Sequence, residues 1–357
     1  MKIAFLNVYS GVIERGAETF VKELASRLAS KHEIFVFQSG VARGDELYIV
    51  KTIPTEIDLS KVRNIKTIQG RLFLDYRSRR KALFTLKLLP ALLRDKFDIV
   101  VPINGGWQPA LARIATWLSR GKMVISGHSG MGWDDRNNLW CFPDIFIALS
   151  SEAKKWAQKV NPFVKSVRIP NGVDTRKFNS EGPKLKTNLG KPIILCVAAL
   201  TESKRIDLTI KAVAKMGNAS LLVVGGGDLR GEIKTLGERL LPKRFQLIKV
   251  PYQDIPKVYR VADVFTLPSE AFHSFEIVLV EAMAAGLPVV ANNDPIREEI
   301  VGDAGILVDP AKTDEYADAI KSALEKNWGD ISRKQAEKFN WGAIASDYEK
   351  LFSTLLK

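Results

Sequence analysis

The segment VFTLPSEAFHSFEIVLVEAMAAGLPVVAN, residues 264–292, contains the pattern that decides the fold. A short β-branched run, Val264–Leu267, precedes a helix that begins near Glu276, and a second such run, Pro288–Ala291, follows the helix. A strand, a helix and a strand in roughly 30 residues form a crossover connection, which makes the two strands parallel. The segment therefore predicts one βαβ unit of an α/β domain.

The same alternation runs through the whole chain. In the first half we predict strands at Ile3–Val8, Glu33–Gln38, Asp98–Pro102, Met123–Ser126, Asp144–Leu149 and Ser166–Ile169. Helices are predicted between several of them, at Ala17–Ala29, Leu72–Leu93, Pro109–Trp117 and Glu152–Val160. The pattern restarts after Pro170, with strands at Pro192–Ala198, Ser220–Val224, Phe245–Val250, Val264–Leu267, Pro288–Ala291 and Gly305–Val308.

This repetition predicts two doubly wound, Rossmann-like domains that face each other across a cleft. We expect residues 1–170 to form the first domain and residues 171–340 to form the second. The polar stretch Asn179–Lys191 is interpreted as the linker region. A C-terminal segment, Ser332–Leu356, carries apolar residues at helical spacing, which predicts a helix.

Composition excludes several classes of protein. The 357 residues are 46% hydrophobic and 26% charged, which is typical of a globular chain and not of a disordered one. No apolar run reaches the roughly 18 residues of a membrane span. The two cysteines, Cys141 and Cys196, lie far apart, so neither a disulfide framework nor a zinc site is predicted. A cytoplasmic location is expected.

The charge is concentrated in the first half. Residues 1–170 carry 27 Lys and Arg against 15 Asp and Glu, a net charge of +12. This is nearly all of the formal net charge of the whole chain, which is +13. The segment Arg71–Lys96 combines basic residues with leucines, which favours a peripheral position at an anionic membrane surface. An ordinary packed helix with a solvated basic face is the alternative. Nucleic acid is not expected as a partner, because the basic positions are not interleaved with stacking aromatic residues.

The helix that begins near Glu276 is apolar on almost every face, yet it carries Glu281 in its middle. A buried carboxylate is costly unless it accepts good hydrogen bonds. It could pair with a basic side chain of another helix, or it could accept hydrogen bonds from a ligand diol such as a ribose. The backbone N–H groups of Phe275, Glu276 and Ile277 at the start of the helix would suit a diphosphate.

Residues 268–292 resemble the segment P-S-x-x-E-x-F-G-[LI]-V-x-x-E-A-M-A-x-G-x-P-V-V-A of the family 4 retaining glycosyltransferases, which have the GT-B fold. Four further stretches resemble the family in order along the chain: Arg15–Glu18, Pro170–Asp174, Val197–Arg205 and Val223–Asp228. The resemblance covers essentially the full length. It implies a hexosyltransferase whose first domain binds the acceptor and whose second domain binds a nucleotide-sugar. It also implies that the C-terminal helix crosses back, so that residues of about 341–357 join the first domain.

The resemblance also implies the site residues. By this resemblance, Lys204, His128 and His273 are expected to be catalytic. It assigns the nucleotide-sugar to Glu281, Arg205, Gly16, Phe275, Glu276, Ile277, Val250, Gly225 and Asn171. The donor is expected to be UDP- or GDP-linked, with no metal ion and no other cofactor. The acceptor hydroxyl is expected to attack from the face that the leaving diphosphate vacates, and closure of the cleft is expected to be a hinge motion.

Four positions depart from the family pattern. His273 replaces the first glutamate of the pair, Glu276 replaces a glycine, Ala199 replaces the phosphate-binding arginine, and Arg15 replaces the first loop glycine. Arg205 or Arg15 could restore positive charge near the diphosphate, and Glu270 could partly compensate for His273. Asp134 and Asp135 are interpreted as loop residues and not as a metal site.

Two other functions remain open at this point. The departures, with the basic first half, would suit a degenerate transferase fold that serves as a binding or scaffold protein. A nucleotide-sugar epimerase of the same fold is the other alternative. The acceptor is expected to be a glycan, lipid-linked or phosphorylated, at the cytoplasmic face of a membrane. Donor base, sugar, linkage and oligomeric state are not determined by the sequence.

Overall fold

The computed structural model describes residues 1–13, 15–58, 68–272 and 275–357, and it divides the chain into two compact units. Unit 1 consists of Met1–Asn171 and Trp341–Lys357, and unit 2 consists of Gly172–Asn340. Each unit is built around its own parallel sheet, which is the α/β architecture that the alternating pattern predicts.

Within the described part of unit 1, seven parallel strands form one sheet in the order β3-β2-β1-β4-β5-β6-β7. The strands are β1 (Lys2–Asn7), β2 (Glu33–Gln38), β3 (Ile49–Thr52), β4 (Ile99–Pro102), β5 (Lys122–Ser126), β6 (Ile145–Ala148) and β7 (Ser166–Arg168). The helices are α1 (Gly16–Leu28), α2 (Ile68–Arg71), α3 (Tyr76–Asp95), α4 (Trp107–Ser119), α5 (Trp133–Trp140) and α6 (Ser151–Val160).

In unit 2, the described residues form a six-stranded parallel sheet in the order β10-β9-β8-β11-β12-β13. Its strands are β8 (Ile193–Val197), β9 (Ser220–Val224), β10 (Phe245–Ile248), β11 (Val264–Leu267), β12 (Val289–Asn292) and β13 (Gly305–Val308). Its helices are α7 (Ile206–Lys215), α8 (Arg230–Leu240), α9 (Ile255–Tyr259), α10 (Ile277–Ala284), α11 (Pro295–Val301), α12 (Thr313–Glu325) and α13 (Ile331–Glu337).

The last helix, α14 (Trp341–Leu355), belongs to unit 1 although the chain reaches it from unit 2. Its inner face is fully buried in the unit 1 core, where Phe352 is 0% exposed and Tyr348 contacts Phe20 of α1. The Tyr348 hydroxyl also lies 3.1 Å from Ser126 Oγ at the end of β5. Residues that are remote in sequence therefore complete the core of the first unit.

Three local predictions were wrong. Asp134 and Asp135 are not loop residues, because they occupy the first turn of α5, where acidic side chains match the helix dipole. The edge strand β3 was missed, since its residues are mostly exposed and carry no strong pattern. The helix predicted from Leu72 begins at Tyr76, because the Asp75 side chain accepts a hydrogen bond from Ser78 N and caps it.

The stretch Asn179–Lys191 is not a linker between the units, because it lies inside unit 2. The Arg260 guanidinium donates hydrogen bonds to the carbonyl oxygens of Lys177 and Asn179, at 3.2 and 3.0 Å. Leu185 N donates to the Lys257 carbonyl oxygen at 2.9 Å. Polar composition indicated a connection, but these hydrogen bonds fix the segment to helix α9 and to Arg260 at its end. Among the described residues, no helix is long and apolar enough to cross a membrane.

We predict that Phe352→Ala lowers the free energy of unfolding of unit 1 by about 3–5 kcal/mol, because it leaves a cavity in a packed core. Urea denaturation followed by circular dichroism measures the change. Leu356→Ala is the matched control, since Leu356 is 40% exposed and its truncation should change little. Equal effects of the two substitutions would show that α14 is not part of the unit 1 core.

Candidate functional site

The order of the strands in the unit 2 sheet reverses between β8 and β11, which are neighbours in the sheet but not in the sequence. In an open parallel sheet, the loops that follow two such strands run to opposite sides and leave a crevice at their carboxyl ends. The described parts of these loops are residues 198–205 after β8 and residues 268–272 and 275–276 after β11. The switch point therefore brings together two of the stretches that carry the family resemblance.

Lys204 ends a single helical turn, Glu202–Lys204, in the loop after β8. Its Nζ donates to Glu276 Oε1 at 2.5 Å, and both side chains are largely buried, with 13% and 11% exposed. Two of the predicted site residues thus contact each other directly. Because the ion pair is buried, its attraction is less screened by water than that of a surface pair.

Arg205 does not present its guanidinium as a phosphate clamp. Its Nε donates to the Pro268 carbonyl oxygen at 2.7 Å, and its Nη2 donates to Asn292 Oδ1 at 3.0 Å and to the Ser269 carbonyl oxygen at 3.3 Å. These bonds fasten the loop after β8 to the loop after β11. Arg15 is exposed at the N-terminus of α1 in unit 1.

The start of α10 holds the three residues whose N–H groups were predicted to bind a diphosphate. Phe275 is buried and its ring lies 5.3 Å from the ring of Phe339, which fixes the entry to the helix. Glu276 is the residue that precedes the first helical turn and has a left-handed backbone conformation, with φ 53°. Ile277 is the first helical residue and is partly buried.

Arg297 of α11 is a site residue that the sequence reasoning missed. It is 1% exposed, and its guanidinium lies 3.4 Å from Glu276 Oε1 and 3.4 Å from Asp294 Oδ1. It also donates to Ser269 Oγ at 3.2 Å and to the Ala271 carbonyl oxygen at 3.3 Å. Helix α11 reads PIREEIV, so Arg297 stands next to two other charged residues and nothing in the local sequence marks it as the buried one.

Glu281 is buried on α10, with 4% of its surface exposed, as its place in an apolar helix indicates. Its Oε2 accepts a hydrogen bond of 2.8 Å from the Tyr259 hydroxyl, so a phenol serves as a partner of this carboxylate. Burial, together with the neighbouring carboxylate, raises the pKa of Tyr259 well above its usual value. The phenol therefore remains a hydrogen-bond donor to Glu281 at neutral pH.

Gly225 follows β9 and allows two backbone segments to come close. A Cβ at this position would lie 1.9 Å from the Ala198 carbonyl oxygen, and the backbone φ is +159°. Any side chain would push the loop after β9 away from the loop after β8. Val250 is partly buried two residues beyond β10, at the same end of the sheet.

Three further predicted site residues, His128, Gly16 and Asn171, lie in unit 1. His128 follows β5, and its ring centroid lies 4.3 Å from that of Phe20 on α1. Burial lowers the pKa of His128 to about 4, so its imidazole is neutral at physiological pH. Gly16 is the exposed first residue of α1. Asn171 is buried, and its Oδ1 has no hydrogen-bond partner among the described residues.

His273, the third residue predicted to be catalytic, lies outside the described residues. Within the ranges that the structure describes, no group of three or more His, Cys, Asp and Glu side chains is arranged to hold a metal ion. The candidate site of unit 2 therefore comprises Lys204, Arg205, Glu276 and Arg297, which contact one another or the loop after β11, and Glu281 on the helix that follows this loop.

Comparison with known proteins identifies the family of this chain. The family profile described as Glycosyltransferase Family 4 matches residues 15–177, and the profile described as Glycosyl transferases group 1 matches residues 178–340. A phosphatidyl-myo-inositol mannosyltransferase of Mycobacterium tuberculosis is 31% identical, over 74% of this chain and 75% of the relative. The O-antigen biosynthesis glycosyltransferase WclY of Escherichia coli is 26% identical, over 100% of this chain and 99% of the relative.

Among solved structures, Anabaena HepE in complex with UDP and glucose is similar in fold, with a TM-score of 0.78 at 19% sequence identity. The similarity covers 99% of both chains. The two profiles, the relatives and the shared fold confirm the family that the sequence motifs indicated. This chain belongs to glycosyltransferase family 4, with the GT-B fold, and it is a glycosyltransferase enzyme.

Proposed function

We propose that this enzyme is a retaining glycosyltransferase that takes a sugar from a nucleoside-diphosphate sugar bound by unit 2 and transfers it to an acceptor hydroxyl at unit 1. The observation that carries the proposal is Glu281, a buried carboxylate on the apolar helix α10 beside the switch point of the sheet. Burial of this charge is costly. Its retention fits a group that binds the two hydroxyls of a ribose.

The donor would lie along the carboxyl ends of β8 to β11. Glu281 would accept hydrogen bonds from the ribose, and the backbone near Val250 would contact the base. Gly225 keeps the intervening loop close to the loop after β8, because no Cβ fits there. Lys204 and the N–H groups of Phe275, Glu276 and Ile277 would receive the diphosphate, where the positive end of the α10 dipole favours negative charge.

The proposed chemistry requires no covalent intermediate on the protein. The bond between the anomeric carbon and the diphosphate oxygen breaks, and the acceptor oxygen bonds to the same face, while its proton passes to the leaving phosphate. The enzyme contributes positioning and stabilises the charge that grows on the diphosphate. His128, Gly16, Asn171 and His273 would contact the donor or the sugar. Because burial keeps His128 neutral, it would act as a hydrogen-bonding group and not as a cation.

We predict that UDP or GDP raises the melting temperature of the enzyme, because a ligand that binds only the folded state stabilises it by mass action, by about 2.7 kcal/mol at 100 times Kd. HepE was solved with UDP, which supports testing UDP first. A differential scanning fluorimetry screen with UDP, GDP, ADP and dTDP measures the shift. The shift should persist in EDTA if the donor site uses no metal ion.

Glu281→Gln should remove most of this thermal shift. The amide keeps the shape of the side chain, but it replaces one acceptor oxygen by a donor group. Glu232→Gln on the exposed face of α8 is the matched control, since it removes the same charge from unit 2 at a solvent-facing position. An unchanged shift in Glu281→Gln would place the ribose elsewhere, and no shift with any nucleotide in the wild type would contradict the donor proposal.

For the acceptor, we propose a lipid-linked or phosphorylated glycan at the cytoplasmic face of a membrane. The relatives named above act on phosphatidyl-myo-inositol and in O-antigen biosynthesis, by their names. Helix α3 presents an exposed face on which basic and apolar residues share the same helical spacing. Its members are Arg79, Leu83, Leu86, Lys87, Leu93 and Arg94.

Helix α4, which packs against α3, adds large exposed apolar side chains. Trp107, Ile114, Trp117 and Leu118 are 45–69% exposed. Tryptophan and leucine on a surface that also carries lysine and arginine suit the headgroup region of an anionic bilayer. These two helices support a peripheral membrane position for unit 1.

We predict that the enzyme co-sediments with vesicles that contain phosphatidylglycerol, and that added salt weakens this binding. The double variant Arg79→Glu, Lys87→Glu should bind much less, because each basic residue at the surface contributes about 1 kcal/mol. The double variant Lys155→Glu, Lys165→Glu makes the same charge change at exposed positions of unit 1 outside α3. Equal losses in both variants would show that only net charge matters, and absent binding by the wild type would refute the membrane proposal.

A further inference from the structure

Glu276 has an unusual backbone for its residue type. Its φ of 53° and ψ of 74° lie in the left-handed region, which glycine adopts without steric cost and which other residues rarely adopt. The family sequence that this chain resembles has glycine at this position. A glutamate has therefore been accepted where the backbone disfavours any side chain. Strained residues of this kind persist where the surrounding contacts fix them, often at functional sites.

The carboxylate of Glu276 contacts three polar groups of neighbouring segments. Oε1 lies 2.5 Å from Lys204 Nζ, 2.9 Å from Ser269 Oγ and 3.4 Å from Arg297 Nη2. Two cationic groups and one hydroxyl thus converge on a single oxygen. This is the coordination that a phosphate oxygen receives in an anion-binding site.

The two cations differ in how much they depend on Glu276. Arg297 has other acceptors, which include Asp294 Oδ1 and the Ala271 and Glu270 carbonyl oxygens. For Lys204 Nζ, Glu276 is the one hydrogen-bond partner within the described part of the chain. Removal of the Glu276 carboxylate would therefore release Lys204, while Arg297 would remain held.

A diphosphate on Lys204 and a carboxylate on the same ammonium are like charges a few ångströms apart. In a largely buried site such repulsion is strong, because little water screens it. We propose that the Glu276 carboxylate occupies the diphosphate position on Lys204, and that a nucleoside diphosphate binds only by displacing it. Glu276 is then an internal competitor that weakens donor binding. This inference depends on the proposed role of Lys204 in holding the donor diphosphate.

The test compares three proteins by isothermal titration calorimetry with UDP and with GDP. Glu276→Gln removes the competing charge and keeps the length of the side chain. Glu276→Gly also removes the left-handed strain, so it folds even where the glutamine variant is poorly stable. Both should bind the nucleotide about tenfold more tightly than the wild type. Glu232→Gln on α8 is the control for the loss of one negative charge and should bind as the wild type does.

A double-mutant cycle with Lys204→Met distinguishes competition from a general change in the loop. If Glu276 competes for Lys204, then Lys204→Met should weaken binding more in the Glu276→Gln background than in the wild type. An unpaired ammonium should also lower the melting temperature of Glu276→Gln without ligand, and UDP should restore more of it than in the wild type.

The outcomes separate this inference from the proposed function. Tighter binding by both Glu276 variants, lost with Lys204→Met, supports both. A wild type that binds UDP or GDP as well as or better than the Glu276 variants overturns the competition and leaves the donor site in place. No binding of either nucleotide to any of the proteins overturns the donor site, and the competition with it.

Discussion

The ion pair between Lys204 and Glu276 is the interaction on which the arrangement of the unit 2 site depends. It joins the loop after β8 to the start of α10, two segments that are 72 residues apart in sequence. Arg205 and Arg297 reinforce the same connection through the carbonyl oxygens of residues 268–271. The loop after β11 is therefore held by three cationic side chains, one of which would be needed by a bound diphosphate.

The parallel sheet explains why these groups meet. In a doubly wound parallel sheet, the loops that follow the strands all lie at the carboxyl ends of the strands. At the switch point the two central loops turn to opposite faces of the sheet, which leaves room for a ligand between them. Gly225 directly follows the carboxyl end of β9, and Glu281 lies on α10, the helix that follows β11. The polar residues belong to the loops and to helices α10 and α11, while the strands β8, β9 and β11 are buried and serve as the rigid support.

The departures from the family pattern acquire different meanings in three dimensions. Arg205, which the sequence offered as a substitute for the arginine absent at Ala199, uses its guanidinium to hold backbone oxygens. Glu276, which looked like a simple loss of a glycine, brings a carboxylate into the cluster of cations. One change therefore removes positive charge from the site, and the other neutralises part of what remains. With the donor diphosphate on Lys204, as proposed, both changes would lower the affinity for the donor.

The sequence by itself determined the α/β class, the two-domain repetition, the family and the burial of Glu281, because these depend on hydrophobic periodicity and on residues close together in the chain. It located most strands and helices to within a few residues, but it missed β3, whose exposed residues carry little pattern, and it placed Asp134 and Asp135 in a loop. Only the tertiary structure decided what the charged groups do. The partners of Lys204, Arg205 and Glu281 are 22 to 87 residues away, and Arg297 joins them from another helix. The spacing of residues along the chain does not predict such contacts, because they form only when the parallel sheet brings separate loops together at the carboxyl ends of its strands.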